Sequence, residues 1–101
     1  MAAAKPAIGA GKHDITDLEP VKPADPRVIE IGQFAVTKHN EEAGTELVFI
    51  CVVGGFMWGV IGGAYYALII ETQDSSGATF LQKALVFAVP TAGMRLIWYK
   101  N

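Results

Sequence analysis

The chain has 101 residues, of which eight are Lys or Arg and ten are Asp or Glu, and its formal net charge is −2. That length provides one domain with a modest core, and the few, scattered cations exclude a nucleic-acid binder. Apolar residues make up 51% of the chain and charged residues 18%, so the protein is more apolar than an ordinary soluble domain.

The N-terminal stretch predicts little regular structure. Residues 1–12 are dominated by Ala, Gly, Pro and Lys, which predicts a flexible tail ahead of a single domain at 13–101. MAAAKPAIGAGKHD lacks the apolar run of a secretory signal, so we expect a cytoplasmic protein, or a secreted one whose signal was removed, and the compartment stays unknown. Pro20 and Pro23 exclude a helix over 13–24 and predict an extended edge segment.

One amphipathic helix is predicted over 26–42. Asp25 can cap the free backbone N–H groups, and Pro26 suits the first helical position. Val28, Ile31 and Ala35 then recur at steps of three and four residues, which predicts one apolar stripe. Gly44 predicts the end of the helix.

Beyond residue 46 the composition changes to Val, Ile, Phe and Gly, which favours strands. Gly54-Gly55 is predicted to interrupt the first strand, Asp74–Gly77 to form a turn, and Pro90–Gly93 to form a loop. The predicted strands are Leu47–Val53, Ala64–Thr72, Thr79–Val89 and Met94–Tyr99. One helix followed by strands with hairpin-length connections predicts an α+β fold, an antiparallel sheet packed on the helix.

The same tract also allows a membrane span. LVFICVVGGFMWGVIGGAYYALII, residues 47–70, carries no charge and is long enough to cross a bilayer as a helix. Its small residues fall at every fourth position, as on the packing faces of transmembrane helices: Gly55, Gly59, Gly63 and Ala67. The residues alone leave the span and the sheet both open.

Enzymatic and metal chemistry have little support. No Ser/His/Asp, Cys/His or phosphate-loop spacing is present, so we expect no catalytic residues, no cofactor and no metal. Cys51 is the one cysteine. We expect it to be a small buried hydrophobe, and the alternative is an exposed thiol that links two chains.

The helix segment IGQFAVTKHN, residues 31–40, resembles the signature of plant cystatins, the phytocystatins. Weaker similarities extend the resemblance over roughly residues 17–100, including GAYYALIIE at 63–71. The resemblance implies a cystatin-like antiparallel sheet of four to five strands wrapped on one N-terminal helix. It also implies a reversible, non-covalent inhibitor of papain-like cysteine proteases, weakened here by changes in the inhibitory loops.

Cystatins, as the resemblance implies, insert three elements into the protease cleft: an N-terminal trunk with a Gly, a first hairpin with Gln-x-Val-x-Gly, and a second hairpin with Pro-Trp. The first hairpin motif falls on Gly59, Val60, Ile61, Gly62 and Gly63, with Gly59 in place of Gln. The second falls on Pro90 and Thr91, with Thr91 in place of Trp. The trunk residue stays unknown, because Thr16 and Asp17 stand near its expected position and neither is Gly.

Two alternatives to inhibition remain. One is a non-inhibitory cystatin-fold protein that binds partners or itself, as a homodimer or by domain swapping, because both faces of the strands in 48–70 are apolar. The other is a single-pass membrane subunit with a helix at 47–70. The first alternative requires a second protein or a second copy, and the second requires a bilayer.

Overall fold

The architecture is one helix followed by one sheet, in a computed structural model that describes residues 18–101. The elements in chain order are β1 (Glu19–Pro20), α1 (Pro26–Ala43), β2 (Val48–Val60), β3 (Gly63–Gln73), β4 (Thr79–Val89) and β5 (Gly93–Lys100). The strands lie in the order β1-β2-β3-β4-β5, and each is antiparallel to its neighbour. This confirms the predicted cystatin-like α+β fold with five strands. The short β1 lies within the predicted edge segment at 13–24. The first residues of that segment, and the whole predicted tail, lie outside the described residues.

Local signals fix the two ends of α1. Asp25 accepts a hydrogen bond from the backbone N–H of Arg27 at 2.8 Å, which satisfies one of the free donors of the first turn. Gly44 has a φ of 71° and donates its N–H to the Asn40 carbonyl at 2.9 Å, the ending for which glycine is favoured. The helix therefore begins where the sequence predicts and ends one residue later.

The core lies between α1 and one face of the sheet, the inner face. The apolar stripe of α1 supplies Val28, Ile31 and Ala35, all buried. The sheet supplies residues at alternate positions of its two central strands: Tyr66, Leu68, Ile70, Ala84, Val86 and Ala88. Because side chains alternate between the faces of a strand, this packing also determines which residues point away from the helix.

The helix packs tightly on β2 at Gly32. A Cβ atom at this position would lie 2.8 Å from Val52 Cγ2 and 2.9 Å from Phe49 Cε1. Both distances are shorter than ordinary carbon–carbon contacts, which lie near 3.5–4.0 Å. Glycine at position 32 therefore permits the contact between α1 and the sheet.

The predicted interruption at Gly54-Gly55 is wrong, because β2 runs through both glycines to Val60. The register with β3 shifts between Val52 and Gly54, so the glycines lie at a β-bulge instead of a strand end. Gly55 has a φ of 145°, and a Cβ there would overlap the Ala67 carbonyl oxygen and lie 3.0 Å from Leu68 Cα. The close approach of β3 therefore requires glycine at position 55.

The membrane-helix alternative for 47–70 is also wrong. This tract forms β2, a two-residue turn and most of β3. Among residues 18–101, no helix has both the length and the apolar character needed to cross a bilayer. The uncharged stretch reflects two paired strands that are apolar on both faces.

The last two residues of the helix motif anchor α1 to the sheet. Asn40 donates its side-chain N–H to the Leu47 carbonyl at 2.9 Å and accepts from the Leu47 N–H at 3.1 Å. The His39 ring stacks on Tyr99 of β5, with 4.0 Å between ring centroids. The two side chains thus link the end of α1 to the start of β2 and to the far edge of the sheet.

Tyr99 also belongs to a polar cluster under the sheet. Its hydroxyl donates to Gln82 Oε1 at 2.5 Å, and the Thr72 hydroxyl donates to the same oxygen at 3.0 Å. Among the described residues, every buried side-chain polar atom has a partner, which keeps the polar cluster from destabilising the core. Burial raises the pKa of Tyr99 from 10.0 to about 12.

We expect Gly32→Leu to lower the free energy of unfolding by roughly 2 kcal/mol, because the new side chain overpacks the contact with Val52 and Phe49. Urea denaturation monitored by circular dichroism measures the change. The matched control is Thr37→Leu, which introduces the same residue at an exposed position of α1 and is expected to change stability by less than about 0.5 kcal/mol. Equal stabilities for the two variants would contradict a tight contact at Gly32.

The Tyr99 phenol predicts a loss of stability in alkali. Its folded-state pKa is about 12 against an ordinary 10.0, so the folded state binds more protons than the unfolded state between these pH values, and stability falls as pH rises through this window. Tyr99→Phe cannot titrate there, and it is expected to be about 1 kcal/mol less stable near neutral pH because it lacks the hydrogen bond to Gln82. The difference between wild type and Tyr99→Phe, measured by urea denaturation, should therefore shrink from pH 10 upwards. A constant difference would contradict the raised pKa.

Candidate functional site

The first candidate element is the hairpin between β2 and β3. Val60 pairs with Gly63, so Ile61 and Gly62 form a two-residue turn. Gly62 has a φ of 91°, a conformation that side chains other than glycine adopt at a cost. The Ile61 side chain is fully exposed, at 103% of its reference area. The turn therefore presents one aliphatic side chain at its apex on a tightly closed backbone.

The second candidate element is the hairpin between β4 and β5. Val89 pairs with Gly93, and the turn between them contains Pro90, Thr91 and Ala92, all exposed. The Ala92 N–H donates to the Val89 carbonyl at 3.2 Å. Thr91 is small and polar, so the tip of this hairpin lacks a large apolar side chain.

The two hairpin tips lie side by side, because Ala64 of β3 pairs with Ala88 of β4. A groove of about 660 Å³ runs between them, lined by Gly62, Gly63, Pro90, Thr91 and, from the start of α1, Arg27. A Cβ atom at Gly63 would overlap the Ala88 carbonyl oxygen and lie 2.9 Å from Phe87 Cζ. We call this end of the sheet, with residues 59–63 and 90–92, the hairpin end. It brings together all seven residues that the sequence singled out.

The chain also enters β1 from the hairpin end. Glu19 pairs with Met57 and Pro20 with Phe56, so Leu18, the first described residue, lies on the hairpin side of this pairing. Within residues 18–101, β1 covers the outer edge of β2 only at these two positions, and the edge from Trp58 to Val60 lacks a strand partner. The predicted trunk positions, Thr16 and Asp17, lie outside the described residues.

The hairpin end carries almost no charge. Residues 59–63 and 90–92 contain no ionisable side chain. The Arg27 guanidinium in the groove lies 3.1 Å from Glu30 Oε1, and both side chains are substantially exposed, so this ion pair contributes little. What the hairpin end offers a partner is apolar contact and backbone hydrogen bonds. Among residues 59–63 and 90–92 there is no carboxylate, imidazole, amine or thiol.

An aromatic row beside the hairpin end was not predicted from the sequence. The Trp58 ring stacks on Tyr65 at a centroid distance of 5.4 Å, and Tyr65 contacts Phe87 at 4.9 Å. Trp58 pairs with Tyr65 and Tyr65 with Phe87 across the strands, so only the register reveals the row. Phe56 is 49% exposed on the same side, whereas Met57 packs against the core.

Cys51 lies far from the hairpin end, and the expectation that it is buried is wrong. The side chain is exposed, because the register shift between Phe49 and Cys51 turns it away from the core. Its thiol donates to Glu71 Oε1 at 3.6 Å. Partial desolvation raises the pKa of the Cys51 thiol, and the hydrogen bond to Glu71 adds to this effect. The exposed thiol meets the steric requirement of the alternative, in which Cys51 links two chains, and that alternative stays a prediction.

Comparisons with known proteins point to one group. A family model described as SQAPI, aspartic acid proteinase inhibitor, matches residues 21–98. Cysteine proteinase inhibitor 5 of Arabidopsis thaliana is 36% identical over 66 residues, covering 65% of this chain and 53% of that protein. Cysteine proteinase inhibitor 1 of Actinidia chinensis var. chinensis is 39% identical over 49 residues, covering 48% and 41%. Cysteine proteinase inhibitor 8 of Oryza sativa subsp. japonica is 33% identical over 82 residues, covering 81% and 61%.

These similarities confirm the resemblance stated from the helix motif. The chain spans only 41% to 61% of the length of these three relatives, whereas the family model covers well over half of this chain. The family and the relatives are named as inhibitors and not as enzymes, in agreement with the prediction that the chain has no catalytic role. Its fold, its helix motif and the family match together show that the chain belongs to the plant cystatins of the cystatin superfamily, in the family described as aspartic acid proteinase inhibitors.

Proposed function

We propose that the protein is a reversible, non-covalent inhibitor of papain-like cysteine proteases that inserts its hairpin end into the protease cleft. The observation that carries this proposal is the pair of uncharged hairpin tips side by side, with Ile61 fully exposed at the apex. Three relatives are named as cysteine proteinase inhibitors, which supports the same function.

The geometry supports inhibition by a preorganised loop. Gly62 closes the first turn without strain at a φ of 91°, and β2 and β3 pair up to Val60 and Gly63. A loop already held in its binding conformation loses little entropy on docking. The groove contributes backbone and apolar surface, and no bond is made or broken. Since the tips carry no ionisable group, binding should depend only weakly on salt.

Two departures from the cystatin motifs are expected to weaken this binding. Gly59 stands where the motif has Gln, so the first hairpin lacks a side chain that could contact the protease. Thr91 stands where the motif has Trp, so the second hairpin lacks the kind of aromatic anchor that dominates many interfaces. The expected inhibitor is therefore micromolar rather than nanomolar.

Aspartic proteinases are the second candidate target. The family description names them, and the two changes at Gly59 and Thr91 affect the features that the cystatin motifs associate with papain-like enzymes. The same hairpin end would then contact a different cleft, again through Ile61 and backbone groups. A third candidate, binding or self-association without inhibition, is supported by the many exposed apolar side chains of the sheet, among them Val53, Phe56 and Leu81.

Titration of papain and pepsin with the full chain distinguishes these candidates. Progress curves with a fluorogenic peptide are followed as the protein is added up to high micromolar concentration, at low and at moderate salt. We expect papain to slow reversibly with little salt dependence. Inhibition of pepsin alone would indicate that the target class is the aspartic proteinases. No effect on either enzyme would contradict inhibition and favour the third candidate, binding without inhibition.

Restoring the missing aromatic side chain should strengthen the inhibition of papain. Thr91→Trp places an indole at the tip of the second hairpin, and an aromatic anchor of about 2 kcal/mol corresponds to a roughly 30-fold lower inhibition constant. The matched control is Ala92→Trp, which adds the same side chain to the neighbouring exposed position and is expected to change the inhibition constant by less than about threefold. Equal gains in both variants would show that any added apolar surface suffices and would contradict a specific role for position 91.

Gly63 is expected to be essential for the shape of the hairpin end. Gly63→Ala forces its Cβ into the Ala88 carbonyl oxygen and against the Phe87 ring, so we expect a loss of about 1–3 kcal/mol in stability together with weaker papain inhibition. Gly59→Ala is the matched control, because a Cβ at that position meets no atom within 4 Å. Urea denaturation and the papain titration measure both variants. A Gly63→Ala variant as stable and as inhibitory as Gly59→Ala would refute the close contact between the hairpins.

A further inference from the structure

The face of the sheet turned away from α1, which we call the open face, is apolar over most of its area. Its side chains come from the positions of β2–β5 that alternate with the core residues. Two rows cross its centre. The first is Trp58, Tyr65 and Phe87, and the second is Phe56, Ala67, Leu85 and Trp98. A sheet face that belongs to solvent normally alternates to polar residues, and these rows do not.

Several apolar side chains of the open face are substantially exposed. Leu81 is 62% exposed, Phe56 49%, Trp98 41% and Ile69 36%, and their cross-strand partners are, in that order, Glu71, Ala67, Leu85 and Lys83. Contiguous apolar patches on monomers reach roughly 300–600 Å² and larger ones mark interaction sites. The described residues place nothing over this face, since α1 packs on the opposite one.

We propose that a second copy of this chain covers the open face, so that two sheets stack face to face about a two-fold axis parallel to the strands. Four strands about 4.8 Å apart and four residue rows about 6.7 Å apart give a plan area of about 500 Å². The side chains project from this plane, so the accessible area is larger than the plan area and approaches the ~800 Å² per partner that a standard interface buries. The open face is therefore large enough for a stable dimer.

The charges on the open face agree with a two-fold interface. Arg95 and Lys100 lie on the edge strand β5 and Glu71 lies toward the end opposite the hairpin tips, whereas Lys83 lies on β4 between Ile69 and Lys100. Three of the four charges thus lie at the perimeter, where an interface is usually polar. The Lys100 ammonium group already lies over the Trp98 ring at 5.5 Å, so its charge can reach water while its stem covers apolar surface.

The direction of the two-fold axis follows from avoiding contacts between like charges. An axis parallel to the strands places β2 of one copy over β5 of the other, so Arg95 faces Trp58 and Phe56 faces Trp98 of the second copy. An axis perpendicular to the strands would place each strand over itself in reverse and bring Arg95 toward Lys100. The first arrangement forms a cation–π contact, whereas the second sets two cations together.

The structure favours stacking over domain swapping. Swapping through the first hairpin would require the turn at Ile61-Gly62 to open. Hinge loops that swap are usually short and strained, whereas Gly62 adopts its φ of 91° without the penalty that another residue would incur. Gly62 therefore adds no strain that opening the hairpin would relieve.

Sedimentation velocity of the full chain from micromolar to submillimolar concentration tests the proposal without any protease. We expect reversible monomer–dimer exchange in the wild type. Leu85→Lys, at the centre of the face, and Phe56→Lys, at a position already half exposed, should each raise the dimer dissociation constant at least about 30-fold, as loss of a hot spot does. Ile61→Lys is the matched control: it adds the same charge at the hairpin apex, so it should leave dimerisation unchanged.

Arg95→Glu tests the direction of the two-fold axis in the same sedimentation experiment. With Arg95 over Trp58 of the second copy, the variant should raise the dissociation constant about threefold. A lower dissociation constant would indicate that Arg95 faces Lys100 and would overturn the arrangement. A wild type that stays monomeric, or a dimer that persists in Phe56→Lys, would overturn the proposal itself. A failure to inhibit papain would leave these results untouched.

Discussion

The contact between the apolar stripe of α1 and the inner face of the sheet determines most of this structure. Ile31 and Ala35 are fully buried against the strands, and Gly32 lets the helix approach Val52 and Phe49. Once one face of a strand is buried, a register slip of one residue would expose the whole buried set. The helix contact therefore fixes the register of β2 to β5. The register in turn sets the hairpin tips side by side and determines which side chains remain on the open face.

Local signals were enough to predict the helix, and long-range pairing explains where the prediction of the strands failed. Asp25, Pro26 and Gly44 act within a few residues of the helix ends, so the sequence shows them directly. Gly54 and Gly55 carry the same local signal as a turn, yet the strand continues through them, because β3 approaches so closely at Ala67 that only glycine fits. The neighbouring register shift also turned Cys51 outward, which alternation along β2 alone does not reveal.

The seven candidate residues were located by resemblance and not by any chemistry that they display. Glycines, Ile61 and a Pro-Thr pair carry no titratable or metal-binding group, so composition and spacing could not distinguish them from an ordinary pair of turns. Their juxtaposition depends on the pairing of Ala64 with Ala88, a contact between residues 24 positions apart. The aromatic row of Trp58, Tyr65 and Phe87 was missed for the same reason, since its members come from three strands. Its signal in the sequence is the absence of the polar residues that should alternate with the core positions.

The open face and the hairpin end belong to the same sheet, so a dimer formed through the open face would affect access to the hairpin end. In the proposed dimer both hairpin ends point in the same direction, because an axis parallel to the strands preserves strand direction. Stacked sheets lie about 10 Å apart, a spacing far smaller than a protease, so a dimer would occupy one protease and shield its second hairpin end. Association would then halve the number of available inhibitory ends without altering the turn at Ile61 and Gly62. Dilution favours the monomer. Every hairpin end would therefore be available to a protease only at low concentrations of the protein. The apolar open face would therefore limit inhibition at high concentration, and the same sheet that orients the hairpins would also restrict their use.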